Sequence, residues 1–312
     1  PRSFLLVFPS KKNRLNPAQL HTNFKISAAG EMLLLSSPDF GVVDSISVPS
    51  LQADQSYGRL PDGGTSWTFM NSPTPGVANS VSGVEDWIDQ PVFSNASGFY
   101  NQPVLLNMST AAENVSIRYT LDGKIPDSCA TLYHSAIFID TTTVVRAAAF
   151  LSDGRSSGIN TATFIINESF DLPVVSLTTD PKNLWDPDFG IYAKGNNARD
   201  VYPYKGANFW REWERPIHIE FFEPDQRLAF TADAGVRIFG HSSVGAPFKP
   251  LVFYARKQYG DGLFKHQIFP DKDIHEFEAF MLRNSGNDWN RTLFRDAFMH
   301  ELASEIRLPG QA

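Results

Sequence analysis

The chain contains one cysteine, no long apolar run and no excess of positive charge. With Cys129 alone among 312 residues, an intramolecular disulfide and a zinc site built from several cysteines are both excluded. An apolar run of about eighteen residues, the length that a membrane-spanning helix needs, does not occur. The net charge of −7 provides no positive field, so DNA and RNA are not expected partners.

Aromatic residues, in contrast, are abundant, and 25 of them are Phe. Aromatic side chains favour strands, while the 21 Gly and 21 Pro favour the turns between strands. The composition therefore predicts a mainly β protein. Because 312 residues exceed what one hydrophobic core usually serves, we expect several domains.

The first segment, residues 1–80, is predicted to be a small β-sandwich. Apolar runs at Phe4–Phe8 and Met32–Leu35 and the alternating stretch Val42–Val48 have the pattern of strands. Further motifs stand in order at His21–Ser27, Asp54–Arg59, Pro61–Gly63, Trp67 and Pro73–Asn79. Together they resemble the later part of the lamin-tail domain of bacterial surface proteins. The resemblance implies an immunoglobulin-like sandwich that serves as an interaction module.

The second segment, residues 81–168, opens with an acidic linker at Val81–Gln90. Strands are predicted at Val104–Met108, Val115–Thr120, Ala136–Ile139, Thr143–Phe150 and Thr161–Ile166. The motifs Ile117–Pro126, Leu132-Tyr133, Val145–Phe150 and Ala162–Phe164 resemble the C-terminal module of chitobiases and β-hexosaminidases, which implies a fibronectin-like sandwich. Asp122 and Asp127 lie in a turn beside Gly and Pro, so they are expected to bond to nearby backbone rather than to act as a glycosidase pair.

The third segment, residues 169–312, is predicted to be a mixed α+β domain. Strands are expected at Leu172–Leu177, Ile217–Phe222, Val236–Phe239, Leu251–Arg256 and Glu278–Arg283. A helix is expected from an N-cap at Asn290, because apolar residues recur after it at helical spacing. They are Leu293, Phe294, Ala297, Phe298, Leu302 and Ile306. The seven histidines show no paired metal-binding spacing, so no metal site is predicted.

A glycine-containing loop, Gly240–Lys249, lies between two of these strands. Glycines let backbone amides approach a phosphate, and a lysine supplies a point charge for its oxygens. The loop is not a Walker A motif, because Ala246 takes the place of the lysine and no helix follows. On spacing alone, the pattern favours an ordinary hairpin with an exposed lysine.

Motifs across this segment resemble the CotH kinase family: Pro173–Leu177, Gly190–Tyr192, Trp213–Pro216, Ile219–Phe222, Gly235–Gly240, Tyr259-Gly260 and Leu282–Trp289. The resemblance implies that two β-sandwiches precede the N-terminal half of an atypical kinase-like domain. It also implies a nucleotide-binding loop formed by Gly240, Ser242, Ser243, Gly245 and Lys249. Glu301 would orient Lys249, and the cofactors would be ATP and Mg²⁺.

By the same resemblance, the protein is exported to the cell surface and transfers phosphate from ATP to Ser or Thr of a surface or coat protein. The catalytic carboxylates are expected beyond residue 312, so their positions are unknown and the chain by itself is expected to be inactive. Asp288 precedes the helix and is expected to cap it rather than to bind a metal. Two other functions stay open: a non-catalytic adhesive scaffold, and a carbohydrate-binding array with glycans as partners.

Overall fold

The computed structural model describes residues 4–16, 19–27, 30–49, 56–70, 73–79, 88–152, 154–270, 272–286, 288 and 290–305. The chain divides into two compact units, and the boundary falls between residues 87 and 88. Most of the predicted acidic linker, residues 81–87, lies outside the described residues. Both units are mainly β, as predicted, and no helix in the described ranges is long and apolar enough to cross a membrane.

The first unit consists of short strands in small sheets. Its strands are β1 Val7–Phe8, β2 Arg14–Asn16, β3 Gln19–His21, β4 Glu31–Ser36, β5 Val42–Val48, β6 Ser56–Arg59 and β7 Trp67–Met70. The sheet orders are β1-β3-β2, β4-β5 and β6-β7. Tyr57 and Trp67 stack with ring centroids 5.6 Å apart, and Arg59 covers the Trp67 ring. These aromatic residues therefore serve packing, while Asp54 and Gln55 of the same motif lie outside the described residues.

The second unit begins with a β-sandwich. Its strands are β8 Val92–Phe93, β9 Gly98–Tyr100, β10 Val104–Leu106, β11 Met108–Ser109, β12 Val115–Thr120, β13 Thr131–Leu132, β14 Ile137–Ile139, β15 Thr143–Leu151 and β16 Asn160–Ile166. A five-stranded sheet in the order β13-β12-β15-β16-β9 is covered by the pairs β10-β14 and β11-β8. Leu106 and Ile139 from the pairs meet Val145 and Phe164 from the sheet in one apolar core.

A second five-stranded sheet follows, in the order β17-β18-β19-β20-β23. The elements of this region are β17 Val174–Thr178, α1 Pro181–Trp185, β18 Arg215–Phe222, β19 Leu228–Ile238, β20 Leu251–Tyr254, β21 Phe264–Lys265, β22 Glu276–Phe277, β23 Ala279–Leu282 and α2 Arg295–Glu305, with 3₁₀ turns at Asn208–Trp210 and Ser242–Gly245. One face of the sheet packs Ile217, Ile219 and Phe253 against Ile191 and Phe209 from the loops. The strand predicted at Ile217–Phe222 is thus confirmed as β18.

The opposite face of this sheet packs against the sandwich, so β16 and β18 are buried on both sides over most of their length. Phe222 of β18 meets Phe99 of β9 edge to face, with ring centroids 5.6 Å apart. The Thr163 hydroxyl of β16 contacts the Ser176 hydroxyl at 2.7 Å and donates to the Glu220 carboxylate, which is fully buried. A polar cluster therefore lies inside this interface.

The helix expected from Asn290 begins five residues later, at Arg295. Residues 290–292 form turns instead, because Asp288 accepts hydrogen bonds from the backbone N–H groups of Phe294 and Arg295 and so fixes the start of α2 there. Four large apolar side chains of the predicted helical pattern are more than a third exposed: Leu293, Phe294, Phe298 and Leu302. Ile306 of that pattern lies outside the described residues. The short helix α1 was not predicted.

Candidate functional site

The Gly240–Lys249 loop joins β19 to β20 and contains the 3₁₀ turn Ser242–Gly245. Gly240 has a φ of +140°, and a Cβ there would lie 2.8 Å from the Ser243 hydroxyl. A Cβ on Gly245 would lie 3.0 Å from the Pro203 backbone. The backbone conformation of the loop therefore favours glycine at 240, and the close approach of the Pro203 backbone favours it at 245.

Lys249 is directed into this loop. Its Nζ donates to the carbonyl oxygens of Val244 at 2.7 Å and Ala246 at 3.0 Å. The ammonium also lies 3.8 Å from the centroid of the Phe209 ring. Burial lowers the pKa of Lys249 to about 8. The side chain thus fastens the loop, and the exposed lysine of an ordinary hairpin is not what the structure shows.

A cleft of about 580 Å³ lies beside the loop. Its lining comes from three elements: the loop itself, the segment after β23, and the first turns of α2. The lining residues are His241, Ser242, Ser243, Arg283, Ser285, Gly286, Asp288, Arg295, Asp296 and Met299. Lys249 is not one of them. Two residues of the predicted nucleotide-binding set, Ser242 and Ser243, therefore face this cleft.

Asn284 holds the segment after β23 against the loop. Its side-chain amide donates to the carbonyl oxygens of Ser243 at 3.2 Å and Phe248 at 2.7 Å. The preceding residue, Arg283, is thereby placed in the lining of the same cleft as Ser242 and Ser243. The contact of the Asn284 side chain with the predicted loop thus determines where Arg283 lies.

Asp288 is 4% exposed and organises the other side of the cleft. It accepts a hydrogen bond from the Thr292 hydroxyl and others from the backbone N–H groups of Phe294 and Arg295, each at 3.2 Å. These bonds, that from Thr292 above all, lower the pKa of Asp288 to about 2. Its predicted role as a cap before α2 is confirmed.

Two arginine–carboxylate pairs lie in the lining of the cleft. Arg283 Nε lies 2.6 Å from Asp296 Oδ2, and Arg295 Nε lies 3.4 Å from Asp288 Oδ1. Both arginine side chains are more than half exposed. Asp296 also has His300 at 3.7 Å as a second partner. The formal charges of the two pairs cancel, so the cleft offers many donors without a net positive charge.

Glu301 is exposed on α2 and does not line the cleft. Successive residues of an α-helix are rotated by about 100°, so Glu301 lies on the side of α2 away from Met299, which does line it. In the ranges that the structure describes, no ion pair joins Glu301 to Lys249, whose ammonium is bonded to carbonyl groups. The orienting role of Glu301 stays a prediction of the resemblance.

The carboxylates of the cleft do not fit a protein-bound Mg²⁺. Asp288 already accepts hydrogen bonds from Thr292, Phe294 and Arg295, and Asp296 is paired with Arg283 and His300. Among the described residues, no group of three His, Cys, Asp or Glu side chains is placed to hold a metal ion.

The sequence reading missed the arginines of the cleft. Arg283 belongs to the motif Leu282–Trp289 but has no predicted role, and Arg295 was not among the candidate site residues. Asn287 and Trp289 of that motif lie outside the described residues. One feature of the sequence could have indicated these arginines: Arg283 and Arg295 stand on either side of the turn that contains Asp288.

Comparison with known proteins supports one of the three resemblances. Residues 95–161 match the family model described as the chitobiase/beta-hexosaminidase C-terminal domain. The match lies within the predicted segment 81–168 and covers most of the sandwich with which the second unit begins. No curated protein matches the chain. The chain therefore contains a domain of the chitobiase/beta-hexosaminidase C-terminal type at residues 95–161.

Proposed function

We propose that the cleft binds the phosphate groups of a nucleoside triphosphate. The observation that carries this proposal is the position of Ser242 and Ser243, which share the cleft with Arg283 and Arg295. Serine hydroxyls and guanidinium groups are donors suited to phosphate oxygens. A volume of about 580 Å³ is also within the usual range for small-molecule sites.

This function agrees with the resemblance of the third segment to CotH kinases. We propose that the protein of which this region is a part transfers the γ-phosphoryl group of ATP to Ser or Thr of a surface or coat protein outside the cell. The β-sandwich that contains residues 95–161 packs on the sheet that carries the loop, so it would support the sheet on which the cleft is built.

Calorimetric titration of the 312-residue chain with ATP, with and without Mg²⁺, tests the proposal. We expect saturable binding that is weakened by about tenfold in the double variant Ser242→Ala/Ser243→Ala, because two hydrogen bonds to charged oxygens are lost. Ser128→Ala, at an exposed position in the sandwich, serves as the matched control and should bind like the unmodified chain. Absence of ATP binding by the folded chain would refute the proposal.

A non-catalytic surface scaffold is the second candidate, and the position of Lys249 favours it. The lysine that the resemblance assigns to phosphate is bonded to the carbonyl oxygens of Val244 and Ala246 and covered by Phe209. A scaffold requires only that the loop be rigid, which these contacts accomplish. A folded chain that binds neither ATP nor ADP would favour this function over phosphoryl transfer.

A further inference from the structure

The charge arrangement of the cleft distinguishes the residues that could hold a phosphate from those that could not. Resting on the proposed function above, we propose that the ligand's phosphates are bound by Arg295 and Arg283, and that Asp296 competes with the ligand for Arg283. Lys249 would then be a positioning residue that maintains the shape of the loop.

Lys249 is not placed to bind a phosphate in the cleft. Both hydrogen bonds that its ammonium makes are to carbonyl oxygens of its own loop, and the ring of Phe209 covers it. To reach a ligand in the cleft it would have to give up these contacts. The loop would then lose the bonds that fasten Val244 and Ala246. The positive charge for a phosphate must therefore come from elsewhere in the cleft.

Arg295 is the better placed of the two arginines. Its contact with Asp288 uses Nε at the long distance of 3.4 Å. Asp288 is already satisfied by Thr292 and by backbone N–H groups, so it does not depend on Arg295. A guanidinium group has five N–H donors, so the terminal nitrogens of this half-exposed side chain can turn toward a phosphate while Nε stays near Asp288.

Arg283 is held more firmly, because its Nε lies 2.6 Å from Asp296. A phosphate that binds Arg283 must share it with this carboxylate, and the two anions repel each other. Asp296 has an alternative partner in His300, which is four residues further along α2 and lies 3.7 Å away. The carboxylate is therefore placed to weaken phosphate binding, and its removal should strengthen it.

The test measures binding of inorganic tripolyphosphate and of ATP to the full 312-residue chain and to five variants. Asp296→Asn and Arg295→Gln are the informative changes, and Arg295→Lys tests whether charge alone suffices. Asp225→Asn and Arg227→Gln are matched controls, because these residues form an exposed Asp–Arg pair in the turn between β18 and β19. Thermal unfolding of each variant verifies that it is folded.

We expect Asp296→Asn to bind tripolyphosphate about threefold more tightly and Arg295→Gln about threefold more weakly, the range for one partly exposed charge. The controls should not change. If ATP binds but the two cleft variants bind it like the unmodified chain, this inference is wrong while nucleotide binding stands. If neither the chain nor Asp296→Asn binds ATP or tripolyphosphate, both proposals fail.

Discussion

Replacement of Thr163 by valine tests how the buried polar cluster joins the β-sandwich to the following sheet. Thr163 donates to Oε2 of Glu220, a side chain that is 0% exposed. Oε1 of Glu220 has no hydrogen-bond partner among the described residues. Valine has nearly the shape of threonine but no hydroxyl, so Thr163→Val would leave Glu220 without its donor and Ser176 without its 2.7 Å partner.

A buried acceptor that loses its donor costs about 1–3 kcal/mol, because it was desolvated on folding and recovers no hydrogen bond. We therefore expect the free energy of opening of the second unit to fall by that amount. Replacing both the donor Thr163 and the acceptor Glu220 by apolar residues should lower the free energy of opening much less. The double variant Thr163→Val/Glu220→Met should thus be more stable than Thr163→Val alone, and the interaction energy should be about 1–2 kcal/mol.

Native-state hydrogen exchange of amides in β16 and β18 is the appropriate assay, because it reports the second unit without contribution from the first. Thr131→Val, at an exposed position in β13, is the matched control and should change the opening free energy by less than about 0.5 kcal/mol. A loss of less than 0.5 kcal/mol in Thr163→Val itself, together with no coupling to Glu220, would show that the cluster does not stabilise the interface.

Three further predictions concern the cleft and its loop. The pKa of Asp288 is about 2 when folded, below its ordinary value, so its stabilising contribution should persist above about pH 4 and be lost as the pH falls through 2. Unfolding of Asp288→Asn and of the unmodified chain at a series of acidic pH values measures this: the difference between their free energies of unfolding should decrease as the pH falls. The pKa of Lys249 is lowered to about 8, so between about pH 8 and 10.5 only the unfolded state keeps the proton. The stability of the chain relative to the Lys249→Met variant should therefore rise over this pH range. A difference in urea midpoints that does not change with pH would contradict this. Gly240→Ala should lower stability by about 1–2 kcal/mol, because a side chain at φ +140° is strained, whereas Gly260→Ala should have little effect.

The strands were predictable because their residues alternate and turn residues separate them. The pattern Val42–Val48 gave the bounds of β5, and Val115–Thr120 gave those of β12. The burial of both faces of β18 could not be predicted from the alternation of its residues. Glu220 occupies a position in β18 that alternation assigns to solvent, yet the sandwich covers it completely. Only the packing of the second sheet on the sandwich determines this.

The site was predictable only in part, for a similar reason. A local motif placed Ser242 and Ser243 in a loop, and the loop does line a cleft. Lys249 was expected to face a ligand, but its direction depends on Phe209, forty residues earlier in the chain. Arg283 reaches the cleft because Asn284 bonds to the loop carbonyls, a contact that no sequence spacing indicates.

Hydrogen exchange of the 312-residue chain with and without saturating ATP tests the central claim most directly, because it locates the bound nucleotide. If the cleft binds phosphate, slower exchange should appear at Gly240–Ala246, in the segment that follows β23 and in the first turn of α2, while the strands of the first unit stay unchanged. Protection confined to other regions, or no protection at any ATP concentration, would contradict the assignment of this cleft to a nucleotide.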